Sequence, residues 1–167
     1  MSKENKNQSR LSVLQSEVGP AFIGLQLEGL VERITADSDA YLQQNGFETP
    51  ALAVSSLLHL WRCGPMSLAD LSRAYGRPHQ LISIRLKMLE TNQLAVRKSD
   101  PVDGRRKLIH LTETGQAEAE KLWQFCQQFA LAVDDLCQEI GFDLTSIIEK
   151  AETALKRKPL TARMPKT

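Results

Sequence analysis

The stretch SLADLSRAYGRPHQLISIRLKMLETNQLAVRKSDPVDGRRKLIHLT, residues 67–112, decides the fold. It opens on Ser67-Leu68-Ala69-Asp70, which has the form of a capping box: the Ser67 side chain accepts orphan backbone amides at a helix start. Leu68, Leu71 and Ala74 give the short helix that follows one apolar side. Gly76 ends it in a sharp turn. Pro78 suits the first turn of a new helix, where its missing N–H costs nothing. From Pro78 to Asn92 the pattern is helical again, with Ile82, Leu86 and Leu89 on one side at i, i+4, i+7. Gln80, Ser83 and Lys87 fall on the opposite side and offer hydrogen bonds suited to base edges or phosphates. Leu81, Ile84 and Met88 widen the apolar arc beyond half the circumference. Ile84 either meets a thymine methyl or packs.

Two strand-like runs follow, Ala95 to Lys98 and Leu108 to Thr112. Between them lies Asp100-Pro101-Val102-Asp103-Gly104-Arg105-Arg106-Lys107. Asp103-Gly104 favours a positive-φ hairpin tip. Three consecutive cations repel one another at an exposed tip, and they make sense against a polyanion. A narrow minor groove concentrates negative potential and attracts inserted arginine. Asp103 is placed to hold an arginine by a carboxylate–guanidinium fork. Taken alone, the helix pair also fits ordinary amphipathic helices with a solvated polar face, and the tip also fits a solvated loop. In succession they read as a helix-turn-helix followed by a wing.

The segment from Ser67 to Gly115 resembles the DNA-binding core of the MarR (multiple antibiotic resistance regulator) family of winged-helix regulators. Asp103-Gly104-Arg105 stands where that family carries its Asp-x-Arg wing motif, and Leu111-Thr112-Glu113-Thr114-Gly115 where it carries Leu-Thr-x-x-Gly. Leu89-Glu90, Leu94 and Arg97 match the end of the recognition helix and the start of the wing. The resemblance implies that Arg105 enters the minor groove and that Asp103 orients it. Ser83 occupies the place of a small hydroxyl residue on the recognition helix. The chain departs from the pattern at Gly104, where a second basic residue is common, and at Gln93, where a helix-ending glycine is common. Asn92 is expected to take the left-handed conformation in its stead.

At 167 residues the chain is long enough to bury a real core, and its composition is that of an ordinary globular protein. The formal net charge is only +1, but it is unevenly spread. Residues 73–107 hold nine Lys/Arg against three Asp/Glu, whereas residues 111–155 hold two against nine. A cationic head on an acidic frame steers one face to phosphate and keeps the other away from it. The first eighteen residues carry no secretory apolar core, and no apolar run reaches transmembrane length, so a cytoplasmic protein is expected. Cys63, Cys126 and Cys137 are widely spaced and read as packing thiols. A redox-sensing role stays open by family analogy. No zinc-ligand spacing is present, and no cofactor is implied. No nucleophile elbow, phosphate loop or paired carboxylates in a cleft point to catalysis, and Asp134-Asp135 reads as a solvated helical pair.

Around the core stretch the chain divides as follows. Residues 1–17 form a polar, flexible tail containing Leu11, Val13 and Leu14. Residues 18–48 hold a long helix opening at Gly19-Pro20, striped by Ile23, Leu27, Leu30, Ile34, Tyr41 and Leu42 and ended by Asn45-Gly46. Residues 49–115 are the winged helix-turn-helix. Its first helix is capped at Thr49-Pro50 and nearly all apolar from Leu52 to Trp61, hence buried. Residues 116–158 carry two helices, one capped by Thr112 and striped by Leu122, Phe125, Phe129, Val133 and Leu136. The other starts at Asp143 and carries Ile147, Ile148 and Leu155. Residues 159–167 are a flexible tail, with a frayed basic run from Lys156. The fold class is mainly α with a small β-hairpin wing, flanked by long helices. Their leftover apolar surface fits a second copy of the chain, and the family resemblance implies a dimer built from the first and last helices.

The expected function is a dimeric, sequence-specific regulator of transcription, a repressor relieved by a small molecule. Arg77, Arg85, Lys87, Arg97, Lys98 and Lys107 are expected to hold phosphates. His79, Gln80, Ser83 and Ile84 are expected to read base edges, and Arg105 with Arg106 to take the minor groove. Two heads on a twofold axis match a pseudo-palindromic operator in double-stranded DNA. His59, Trp61 and Arg62 are candidates for an aromatic or phenolic effector pocket, and equally for core or interface. The competing reading is a winged helix that binds protein rather than DNA.

Overall fold

The computed structural model describes residues 13–165. The tail expected over 1–17 lies outside the described residues as far as residue 12, as do residues 166–167 of the tail expected from 159. The described residues fall into two compact units that divide after Ala119.

In the first unit, two 3-10 turns, Val13–Gln15 and Gly19–Phe22, precede α1, Ile23–Gln44. Of the apolar stripe on α1 only Leu42 is buried; Ile23, Leu27, Leu30 and Ile34 stay exposed. The Ser38 hydroxyl folds back to donate to the Ile34 carbonyl. Helix α2, Ala51–Cys63, is not capped by Thr49. Pro50 stands at the N-cap, and Asp39 Oδ1 accepts from the Ala51 amide at 2.6 Å. The Thr49 hydroxyl donates instead to the buried Glu118 carboxylate, which also takes the Glu48 amide at 3.0 Å. Nor is α2 buried all round. Ala53, Val54, Leu57 and Leu60 are buried, Leu52 is exposed, and Leu58 and Trp61 are half-buried, because neighbours cover one side of the helix only.

The short strand β1, Met66–Ser67, has too few residues to show a period in sequence. It pairs antiparallel with β3, Lys107–Leu111, through Met66 opposite Ile109. β3 also pairs with β2, Ala95–Ser99, giving the order β1-β3-β2. Between β1 and β2 lie α3, Leu68–Tyr75, and α4, His79–Thr91. Ser67 caps α3 with a complete capping box. Gly76 closes the helix in the left-handed conformation (φ 58°), which costs a glycine nothing. α3 buries Leu71 and Ser72, and Ala74 is exposed rather than part of the apolar side. The core of the unit is Leu57, Leu71, Ile82, Leu86, Leu89, Leu94 and Ile109, all fully buried.

The end of α4 departs from expectation. Asn92 keeps a negative φ of −85°, and Gln93 itself takes the left-handed conformation at φ 57°. The reason is the next contact: the Gln93 carbonyl accepts the Thr112 hydroxyl at 2.8 Å. That hydroxyl in turn accepts the Gly115 amide at 3.0 Å at the start of α5, Glu113–Ile140. A Cβ on Gly115 would lie 2.0 Å from the Leu94 carbonyl oxygen. The Leu-Thr-x-x-Gly run is therefore a clamp that fastens the start of α5 to the α4–β2 turn.

In the second unit α5 continues to Ile140, with the Phe125 and Phe129 rings 5.7 Å apart. Asp143 caps α6, Leu144–Arg157, by accepting the Ser146 amide. Ile147, Ile148 and Leu155 on α6 are exposed. The basic run from Lys156 remains helical to Arg157. Beyond it, Arg163 donates to the Lys158 and Ala154 carbonyls, capping α6 where fraying was expected. Among the described residues no helix is long and apolar enough to cross a membrane, and no His/Cys/Asp/Glu group is arranged to hold a metal.

Candidate nucleic-acid interface

The candidate interface is built from the exposed side of α4 and the β2–β3 wing, both in the first unit. With Ile82, Leu86 and Leu89 fixed in the core, 3.6-residue periodicity turns Gln80, Ile84 and Lys87 outward, and all three are exposed. Ser83 beside them is half-buried. Arg77 and His79 are exposed at the tight turn that opens the helix. Arg85 is half-buried, and its charge reaches the Tyr75 phenol. Leu81 and Ile84 are each 48% exposed, so two of the three residues that widened the apolar arc are not core.

The wing is more ordered than its composition suggests. Its seven-residue connection is closed by an Asp100 amide bond to the Arg106 carbonyl and an Arg106 amide bond to the Asp103 carbonyl. Gly104 is not in the positive-φ region; the expected hairpin tip is replaced by a longer loop built on aspartates. Asp100 Oδ1 accepts the Val102 amide at 2.9 Å, and Asp103 Oδ1 accepts the Arg105 amide at 3.1 Å. Asp103 thus shapes the backbone that carries Arg105 and makes no fork with an arginine side chain, because the shortest reach of its carboxylate is to an amide two residues on.

The cations divide into two groups. Arg97 Nε lies 2.5 Å from Glu90 Oε1, and Lys107 Nζ donates to Ser99 Oγ at 2.7 Å. Arg106 Nη2 lies 2.7 Å from Asp70 Oδ2, with its Nε 3.8 Å from Asp100. Arg105 and Lys98, by contrast, are exposed and make no side-chain ion pair or hydrogen bond among the described residues. Adjacent in sequence, Arg105 and Arg106 form one candidate pair for the minor groove; the fold separates them. No local pattern marks Asp70 as a wing contact, since it stands 36 positions before Arg106 and only the tertiary fold brings them together.

Asp70 is the electrostatic centre of this arrangement. The Ser67 hydroxyl, donating at 2.7 Å, is the largest influence holding its carboxyl below the usual range. Partial desolvation opposes this, and the Ser67 amide, Arg106 and Arg73 reinforce it.

The proposed effector residues fall on α2. The His59 ring packs on Tyr75 with centroids 5.2 Å apart, and the Tyr75 hydroxyl donates to the Ser55 carbonyl at 2.6 Å. Trp61 is half-buried and Arg62 exposed. A cavity of about 310 Å³ in this unit is lined instead by Asp39, Leu42, Phe47, Thr49 and Asn92, among others. Cys63 is exposed, and Cys126 and Cys137 are half-buried; burial pushes the Cys126 thiol up.

This is a winged helix-turn-helix, and solved structures share it. A probable transcriptional regulator from Pseudomonas aeruginosa is 26% identical over 81% of this chain and 95% of that one, with a TM-score of 0.52. Reduced AbfR bound to DNA is 22% identical over 83% and 93%, with a TM-score of 0.60. A MarR transcriptional regulator from Methanosarcina mazei Go1 is 18% identical over 81% and 98%, with a TM-score of 0.59. The chain thus has the fold of the MarR transcriptional regulators. No protein-family model matches the sequence, and no curated protein does.

Proposed function

We propose that the protein is a cytoplasmic, dimeric, sequence-specific DNA-binding regulator of transcription, a repressor whose affinity for its operator is set by a small aromatic or phenolic ligand. The observation that carries this reading is the juxtaposition of an exposed recognition-helix stripe, Gln80, Ile84 and Lys87, with a wing whose Arg105 has no internal carboxylate partner. Carboxylates stand nearby in Asp100 and Asp103, yet each takes backbone amides and neither pairs with the Arg105 side chain. An exposed, unpaired guanidinium on an ordered loop is suited to a narrow groove, where negative potential is highest. Arg77, Arg85, Lys87, Lys98 and Lys107 then supply phosphate contacts, and His79, Gln80 and Ser83 base contacts. The exposed apolar residues of α1 and of α6 are covered in a second copy, which places two reading heads on a pseudo-palindromic site.

Selection of duplexes from a randomised pool by the purified protein tests this. The expected product is an enriched inverted repeat with half-sites about one helical turn apart. Failure to enrich any duplex sequence favours the reading as a protein-binding winged helix, for which exposed Leu81 and Ile84 would be the contacts. Melting-temperature shifts across a panel of aromatic acids test the ligand, with no shift for any compound counting against it.

A further inference from the structure

Two ion pairs tie the wing to the helix-turn-helix among the described residues, Arg97 with Glu90 and Arg106 with Asp70, and the second uses a loop cation that composition alone would assign to DNA. Arg106 reaches from the wing to Asp70 in the first turn of α3, at 2.7 Å, and its Nε faces Asp100 at the base of the same loop, at 3.8 Å. Asp70 is already committed on both oxygens: Oδ2 takes the Ser67 hydroxyl and amide, and Oδ1 takes Arg73 at 3.2 Å. Asp100, in turn, holds the Val102 and Asp103 amides, and so fixes the loop that presents Arg105. A single guanidinium therefore joins the cap of α3 to the carboxylate that shapes the wing.

We propose that Arg106 is a positioning residue and makes no DNA contact: with Asp70 and Asp100 it forms a latch that sets the wing against the helix-turn-helix and so aims Arg105. The inference rests on the DNA-binding reading for its functional half only. A guanidinium held between two carboxylates is charge-compensated, so bringing phosphate to it gains less than bringing phosphate to Arg105. Its loss would loosen the loop without removing a counterion-releasing contact.

The test compares Arg106→Gln, Arg105→Gln, Asp70→Asn and the double variant Asp70→Asn/Arg106→Gln, with the duplex selected by the wild-type protein as probe. Arg106→Gln is expected to weaken binding roughly five-fold with the salt slope unchanged, whereas Arg105→Gln flattens the slope by about 0.9. The double variant should bind no worse than the weaker single one, since both break the same latch. In the DNA-free protein, the Val102, Asp103 and Arg105 amides should exchange hydrogen several-fold faster in Arg106→Gln than in wild type. A slope flattened by Arg106→Gln as much as by Arg105→Gln overturns the proposal, as do fully additive losses or unchanged amide exchange. The exchange measurement needs no DNA, so a wild-type protein that binds no duplex defeats the functional reading while leaving the latch to be judged on its own.

Discussion

Arg105 and Arg106 are adjacent, identical in chemistry and opposite in circumstance: one points out unpaired, the other is bound by two carboxylates. The difference is made by Asp70, whose place beside the wing no local pattern reveals. Replacing Arg105 by alanine is expected to weaken operator binding at least about ten-fold, or ~1.4 kcal/mol. The fold should survive, because the side chain supports nothing inside the protein; a gel-shift titration against the selected duplex, beside a melting curve, reads both. Gln93 is a second residue-scale case. It holds φ 57°, a conformation that costs a side-chain-bearing residue roughly 1–2 kcal/mol and glycine little. Gln93→Gly should therefore stabilise the protein, by about 0.5 kcal/mol after the greater freedom of glycine in the unfolded chain is counted. Urea unfolding showing a lower midpoint would mean that the Gln93 side chain does more than its backbone reveals.

At the level of elements, two devices set the geometry of the reading head. The first is the clamp between the α4–β2 turn and α5. Gly115 lets the α5 backbone approach the Leu94 carbonyl to where a Cβ would stand 2.0 Å away, so Gly115→Ala must push the two apart. A loss of about 3 kcal/mol is expected by denaturant titration. The second is the Asp70 cap. Its carboxyl is held below the usual range, first by the Ser67 hydroxyl. The unfolded state therefore takes up the proton first, and the stability Asp70 contributes is present above pH of about 3.9 and lost as pH falls through the lowered native value. Asp70→Asn should cost stability at pH 7 and progressively less below about pH 4, as paired unfolding curves would show. Helices α3 and α4 and the wing strands were legible because capping chemistry, a 3.6-residue period and turn residues act locally. The two-residue β1, the cap supplied to α2 by Asp39 and the buried Glu118 carboxylate were not. Each depends on a partner twelve or more residues away, and no periodicity encodes that.

Across the whole molecule, charge is segregated: nine cations to three carboxylates over residues 73–107, two to nine over residues 111–155. The sequence displays this bias openly, and it suits a protein that approaches a polyanion with one part only. The exposed apolar stripe of α1 was equally visible as a pattern. The pattern is the same whether the stripe enters this chain's core or a second copy's, so sequence could not decide between them. What the sequence concealed was that some of the cations are engaged internally, among them Arg97 with Glu90 and both Arg73 and Arg106 with Asp70. The central claim, that the remaining cations meet duplex phosphate, is tested most directly by titrating the selected duplex with the protein over a series of salt concentrations. The account predicts two chains per duplex and an affinity that falls with a log–log slope of about −4 or steeper. An affinity indifferent to salt, or no binding at low salt, would contradict it.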